Sequence, residues 1–64
     1  MLKASKLKIR RIELCMKQNE VAKKVGITSQ YLFQLEQGKA KNPSIELMKK
    51  ISDVLQSTPQ ELFF

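Results

Sequence analysis

The stretch QNEVAKKVGITSQYLFQLEQ, residues 18–37, decides the fold of this chain. Apolar residues recur in it at the three- and four-residue spacing of an α-helix, on both sides of a break at Gly26. Glycine after the last periodic residue is a typical helix C-terminus, and Thr28 is a favourable N-cap for a following helix. The stretch therefore predicts two short helices separated by residues 26–28.

Seven positions of this stretch meet the packing requirements of two helices joined by so short a turn. Where the helix axes cross closely the side chain must be small, and Ala22 lies there. The turn needs a backbone conformation that most residues resist, and Gly26 lies there. The shared apolar interior consists of Val21, Val25, Ile27, Leu32 and Leu35. We therefore predict a helix-turn-helix of the DNA-binding kind at about residues 18–37.

Helical patterns flank this motif on both sides. Ser5 is the candidate cap of a first helix, and Ser44 is that of a fourth. The sequence TPQEL, residues 58–62, combines the cap, proline and glutamate that begin a fifth helix. The apolar faces of the first and fourth helices are Leu7, Ile9, Ile12 and Leu14, and Ile45, Met48, Ile51, Val54 and Leu55. We predict an all-α fold, a compact five-helix bundle that forms a single domain over residues 1–64.

The composition favours a polyanion as partner and argues against an enzyme. The 64 residues include twelve Lys and Arg against six Asp and Glu, a net charge of +6. There is no histidine, and Cys15 is the one cysteine, which indicates a reduced, intracellular chain. No apolar run approaches the ~18–20 residues of a membrane span, and the N-terminus lacks a signal-peptide core. We therefore expect a cytoplasmic protein with no catalytic residue, metal, cofactor, small-molecule ligand or membrane partner.

The sequence QNEVAKKVGITSQYLFQLEQGKAKNPSIELMKKISDVL, residues 18–55, resembles the Cro/CI family of helix-turn-helix repressors, also called the Xre family. The family pattern extends over residues 7–62, and residues 11–43 are especially similar to the DNA-binding domains of lambdoid phage repressors. The resemblance implies a lambda-repressor-like bundle whose third helix enters the major groove, in a bacterial protein that is phage- or plasmid-encoded. The chain departs from the pattern at Lys17, Gln56 and Ser57, which replace a Ser or Thr cap, a glycine and an apolar residue.

One side of the third helix carries uncharged side chains where a merely solvated face would normally carry Lys and Glu. Glutamine can pair with adenine through two hydrogen bonds, and phenylalanine can lie against thymine methyl groups. Helical spacing places these side chains on one arc, within reach of neighbouring base pairs. The predicted base contacts are Ser29, Gln30, Phe33 and Gln34. The alternative is a polar surface with one stray aromatic side chain.

Contacts with the DNA backbone are expected at the start of the second helix and around the loop after the third. Gln18 and Asn19 begin the second helix, whose free N–H groups and dipole suit a phosphate. The resemblance also implies a backbone contact at Gln18 and in the loop. The predicted backbone contacts are Gln18, Asn19, Thr28, Gln37, Lys39, Lys41 and Asn42. The alternative is that this helix start and this loop are simply solvated. For Lys3, Lys6 and Arg10 a solvated face is a better interpretation than long-range attraction to DNA.

Two further assignments concern structure rather than base reading. From the resemblance alone, Arg11 and Glu36 form an ion pair between the first and third helices. Phe63 and Phe64 are the predicted homodimer interface, whereas Leu62 is assigned to the core. The alternative for these last residues is a frayed tail.

The leading hypothesis is a sequence-specific regulator of transcription that binds double-stranded DNA. It is a repressor that reads the major groove with helix 29–37, as a homodimer on a near-palindromic operator. Activators, antitoxins and restriction-modification controllers share these features. A second hypothesis is a protein-binding helical module, antitoxin- or antirepressor-like, that keeps the bundle without operator binding. A third is a cationic membrane-active peptide, against which the glycines and matched apolar positions argue.

Overall fold

The computed structural model describes residues 5–40 and 43–64, and this part of the chain is a bundle of five α-helices without a strand. The helices are α1 (Lys6–Glu13), α2 (Gln18–Val25), α3 (Ser29–Glu36), α4 (Ile45–Val54) and α5 (Pro59–Phe63). The predicted all-α five-helix fold is therefore confirmed.

Hydroxyl side chains begin four of these helices. Each accepts a hydrogen bond from the amide three residues later, at 3.0–3.2 Å, and so satisfies a donor that the helix leaves free. These four caps are Ser5, Thr28, Ser44 and Thr58. At the start of α2 Lys17 has no such acceptor, and the Glu20 carboxylate instead accepts from the Lys17 amide at 3.0 Å. The departure from the family pattern at Lys17 thus leaves α2 with half of a capping box.

Residues in the left-handed region end the first four helices. Their φ angles are 57° at Cys15, 91° at Gly26, 71° at Gly38 and 52° at Gln56. The residue that follows each of them donates its amide N–H to the carbonyl of the residue five positions before it, at 2.9–3.1 Å. This hydrogen bond closes the end of the helix. Glycine adopts this conformation without strain, whereas the side chains of Cys15 and Gln56 make it unfavourable there.

Replacing Gln56 by glycine should therefore stabilise the domain. We expect Gln56→Gly to raise the free energy of unfolding by about 0.5–1 kcal/mol, a rise in Tm of about 2–8 °C for a domain this small. The same exchange in helical backbone, Gln60→Gly, should lower it because glycine is a poor helix former. Thermal unfolding of both variants provides the measurement, and equal destabilisation by the two would contradict the expectation.

The core lies where α2 packs against α3 and α4, and where α5 packs against α1 and α4. Ala22 is 2% exposed in α2, as expected at a close helix crossing. The buried apolar residues are Leu7, Val21, Ala22, Val25, Leu32, Met48, Ile51, Leu55 and Leu62. Because α3 buries only one side in this core, its other side remains available for contacts.

Three residues that belong to the apolar patterns of α1 and α4 are exposed and lie outside the core. Ile9, Ile12 and Ile45 are 45%, 55% and 59% exposed. Leu7 and Leu14 lie two turns apart on the side of α1 that faces the bundle, and helix geometry places Ile9 and Ile12 on the opposite side.

Arg10 does not belong to a solvated face, so that interpretation was wrong. Its Nε donates to the Leu55 carbonyl at 2.9 Å, and its Nη2 donates to the Gln56 carbonyl at 3.0 Å. A third, longer bond of 3.4 Å joins it to Glu13. The carbonyls at the end of α4 lack helical partners and carry partial negative charge, so a guanidinium is favoured there. Arg10 therefore links α1 to the junction of α4 and α5.

Candidate nucleic-acid interface

The face of α3 that was predicted to contact bases is exposed along its whole length. Leu32 and Glu36, at 0% and 3% exposure, face the bundle. The four predicted base contacts are all exposed: Ser29, Gln30, Phe33 and Gln34. Phe33 is 47% exposed, and no buried apolar cluster includes it. The structure thus presents two amides, a hydroxyl and an aromatic ring on one exposed face of α3.

The predicted backbone contacts lie around this face but in different settings. Asn19, Gln37 and Lys39 are exposed at the start of α2 and at the end of α3. Thr28 is exposed as well, and its hydroxyl accepts from the Tyr31 amide at 3.1 Å, so that oxygen also caps α3. The last two predicted contacts, Lys41 and Asn42, lie outside the described residues.

Gln18 differs from the other predicted backbone contacts because it is half-buried. Its Nε2 donates to Oε1 of Glu36 at 3.1 Å. This bond joins the first residue of α2 to the last residue of α3. The sequence did not predict this hydrogen bond, because Gln18 and Glu36 are 18 positions apart and follow no periodic pattern.

Arg11 and Glu36 form the ion pair that the resemblance implied. The Arg11 Nε and Nη2 donate to the two Glu36 oxygens at 2.6 and 3.1 Å, a bidentate arrangement. The Arg11 Nη1 donates to the Met16 carbonyl at 3.0 Å. With Gln18 included, the buried carboxylate accepts three hydrogen bonds from α1 and α2. No buried side-chain nitrogen or oxygen of the described residues lacks a partner.

The charge around the interface is suited to phosphates. Glu36 is the one acidic residue between positions 28 and 39, and its carboxylate is buried against Arg11. Lys17, which directly precedes Gln18, and Lys39, three residues after Glu36, are both exposed. An anion that approaches this end of α2 and α3 therefore meets amide donors and ammonium groups, while Glu20, which is exposed in the first turn of α2, is the one carboxylate of that turn.

The described residues contain no group of three or more histidine, cysteine, aspartate or glutamate side chains placed to hold a metal ion. None of the helices in residues 5–40 and 43–64 has both the length and the apolar character needed to cross a bilayer.

The sequence profile of the family described as helix-turn-helix matches residues 7–62. The chain belongs to this helix-turn-helix family, in its Cro/CI (Xre) type. The turn between α2 and α3 and the buried Ala22 are where the motif requires them. The match covers all five helices apart from Lys6 and Phe63, so the helix-turn-helix is part of one larger unit.

A curated relative is the HTH-type transcriptional regulator SlrR of Bacillus subtilis (strain 168). This helix-turn-helix chain is 38% identical to it over 45 residues, which cover 70% of the chain and 30% of the relative. The chain therefore matches less than a third of the length of that regulator. No solved structure gives a significant match.

Proposed function

We propose that this chain is a transcriptional regulator, a repressor, that binds double-stranded DNA by placing α3 in the major groove. The observation that carries the proposal is the exposed face of α3, on which Gln30, Phe33 and Gln34 project from a helix whose other side is buried. Donor and acceptor amides with one apolar ring are suited to base edges and thymine methyl groups. A lysine-rich face would hold phosphates without selecting a sequence.

Two further observations support the proposal. The family to which the chain belongs is that of helix-turn-helix proteins, and the relative SlrR is a transcriptional regulator by name. The net charge of +6 favours association with a polyanion. Both agree with the expectation of a non-enzymatic DNA-binding protein.

Truncation of the glutamines tests the base-reading assignment. We expect Gln30→Ala and Gln34→Ala each to weaken binding to a preferred duplex by ~1–3 kcal/mol and to relax base preference at separate positions. The preferred duplex is first obtained by selection from random DNA, and affinities are measured by mobility shift. Lys39→Ala serves as the control, because loss of a phosphate contact weakens all sequences alike. Equal loss on preferred and random DNA for the glutamine variants would overturn the assignment.

We propose that the chain binds its operator as a homodimer. One short helix touches only a few base pairs, too few to select one site among ~10⁶–10⁹ genomic competitors. Two copies on a two-fold axis would place their reading helices in successive major grooves ~34–36 Å apart. Phe64 is 74% exposed, whereas Phe63 is half-buried against the core and Leu62 is buried. Phe64 is therefore the main candidate for the interface, with the exposed part of Phe63 beside it.

The dimer is tested by Phe64→Ser, which leaves the core contacts of Phe63 in place. We expect near-normal folding, retained weak binding to a single half-site, and loss of most cooperativity on DNA with two half-sites. The matched control is Ile45→Ser, because Ile45 is a similarly exposed apolar residue at the start of α4. Undiminished cooperativity in the Phe64 variant would refute the interface.

A further inference from the structure

The two helices of the motif are connected covalently at one end only. Residues 26–28 join the end of α2 to the start of α3, and the opposite ends have no backbone connection. Apolar packing of Val21 and Leu32 holds the helices together, but such packing is not directional. A directional contact at the open end would add a constraint on the angle between them.

The Gln18–Glu36 hydrogen bond is placed at that open end. Its donor belongs to the first residue of α2 and its acceptor to the last residue of α3. Among the side-chain hydrogen bonds of residues 5–40 and 43–64, this is the one that joins α2 to α3. The acceptor oxygen also receives the Arg11 Nη2, so its own position is fixed from α1.

We infer that Gln18 is a positioning residue for base reading, in addition to its proposed contact with the DNA backbone. The amide nitrogen of glutamine carries two hydrogens, and one of them is directed at Glu36. The other is available to a phosphate oxygen. When α2 lies on the DNA backbone, the bond to Glu36 sets how Gln30 and Gln34 on α3 meet the base edges. Loss of the bond thus lowers discrimination between sequences more than it lowers affinity for DNA in general.

This inference rests on the proposed function, because it assumes that α3 reads bases. The two variants that test it are Gln18→Met, of similar length without the donor, and Gln18→Asn, which keeps an amide but is one methylene too short to reach Glu36. In both variants Glu36 retains its two bonds from Arg11, so no buried charge loses its partner. Asn19→Ala is the control, because Asn19 is exposed at the same helix start.

The measured quantity is the ratio of affinities for a selected duplex and a scrambled duplex of equal length, at a temperature where circular dichroism shows each protein fully folded. We expect both Gln18 variants to lower this ratio about tenfold, the effect of one lost hydrogen bond to a charged group. Asn19→Ala should leave the ratio unchanged while it weakens both complexes.

The outcomes separate the inference from the proposed function. If selection with the native protein yields no preferred sequence, the proposed function fails and the inference fails with it. If a sequence is selected but Gln18→Met weakens both duplexes by the same factor, Gln18 is a phosphate contact only and the inference alone is overturned. The inference would also be overturned if Gln18→Met lowered the ratio of affinities and Gln18→Asn left it unchanged, since Asn cannot form the bond to Glu36.

Discussion

Arg11→Met is expected to lower the free energy of unfolding by ~3–5 kcal/mol, a large part of the stability of a domain this small. The reason is that the carboxylate of Glu36, with 1% of its side chain exposed, would stay buried without the guanidinium that compensates it. The bond from Gln18 would remain, but a neutral amide supplies no countercharge. Urea unfolding followed by circular dichroism measures the change.

A double variant distinguishes an uncompensated charge from simple loss of contacts. Arg11→Met combined with Glu36→Met replaces the pair by apolar side chains, and we expect it to recover most of the lost stability. Arg10→Met is a useful comparison. It removes an arginine that binds backbone carbonyls, and the buried carboxylate of Glu36 keeps its partner Arg11. If the double variant is no more stable than Arg11→Met alone, the charge explanation is wrong.

The affinity for DNA should fall steeply as salt is added. A protein that neutralises about six to ten phosphates loses roughly 10³–10⁵ in affinity between about 50 and 200 mM salt, with a log–log slope of about −0.9 per phosphate. This range is expected for a dimer because Lys17 and Lys39 are exposed near the start of α2 and the end of α3, and because the net charge is +6. Fluorescence anisotropy on a labelled duplex provides the measurement.

The variants already described supply the controls for the salt experiment. Lys39→Ala should make the slope shallower by about one unit for each protomer, whereas Gln34→Ala should weaken binding without changing the slope. An affinity that does not change over this range would contradict DNA binding through the phosphate backbone. A slope altered equally by both substitutions would contradict the division between backbone and base contacts.

The helix-turn-helix was predictable because its requirements are local. Ala22, Gly26 and Thr28 act within one turn of their own position, and the sequence shows them directly. The exposed face of α3 was predictable for the same reason, since helical spacing alone separates Gln30 and Gln34 from Leu32. Periodicity shows which residues share a side of a helix, but on α1 it did not show which side faces the bundle. Ile9 and Ile12, which belong to the apolar pattern of α1, lie on the side that is exposed.

The contacts that orient α3 and α1 were not predictable from the residues alone. Arg10 binds carbonyls 45 and 46 positions away, and a backbone acceptor has no residue type by which the sequence could reveal it. The Arg11–Glu36 pair was expected only because the chain resembles a known family. The contact of Gln18 with a phosphate was predicted from its position at a helix start and from the family resemblance and stays a prediction, but neither pointed to the bond between its amide nitrogen and Glu36.

The adjacency of Arg10 and Arg11 limits how this chain can change in length. Arg10 is attached to the α4–α5 junction, and Arg11 is attached to the end of α3. Inserting or deleting one residue between them would turn one guanidinium by about 100° around the axis of α1 and break one attachment. Exchange of a reading helix between proteins of this family should therefore succeed only if Glu36 and both arginines are kept at this spacing. Under the proposed function, positions 30, 33 and 34 are then the ones whose variation is expected to change the recognised sequence.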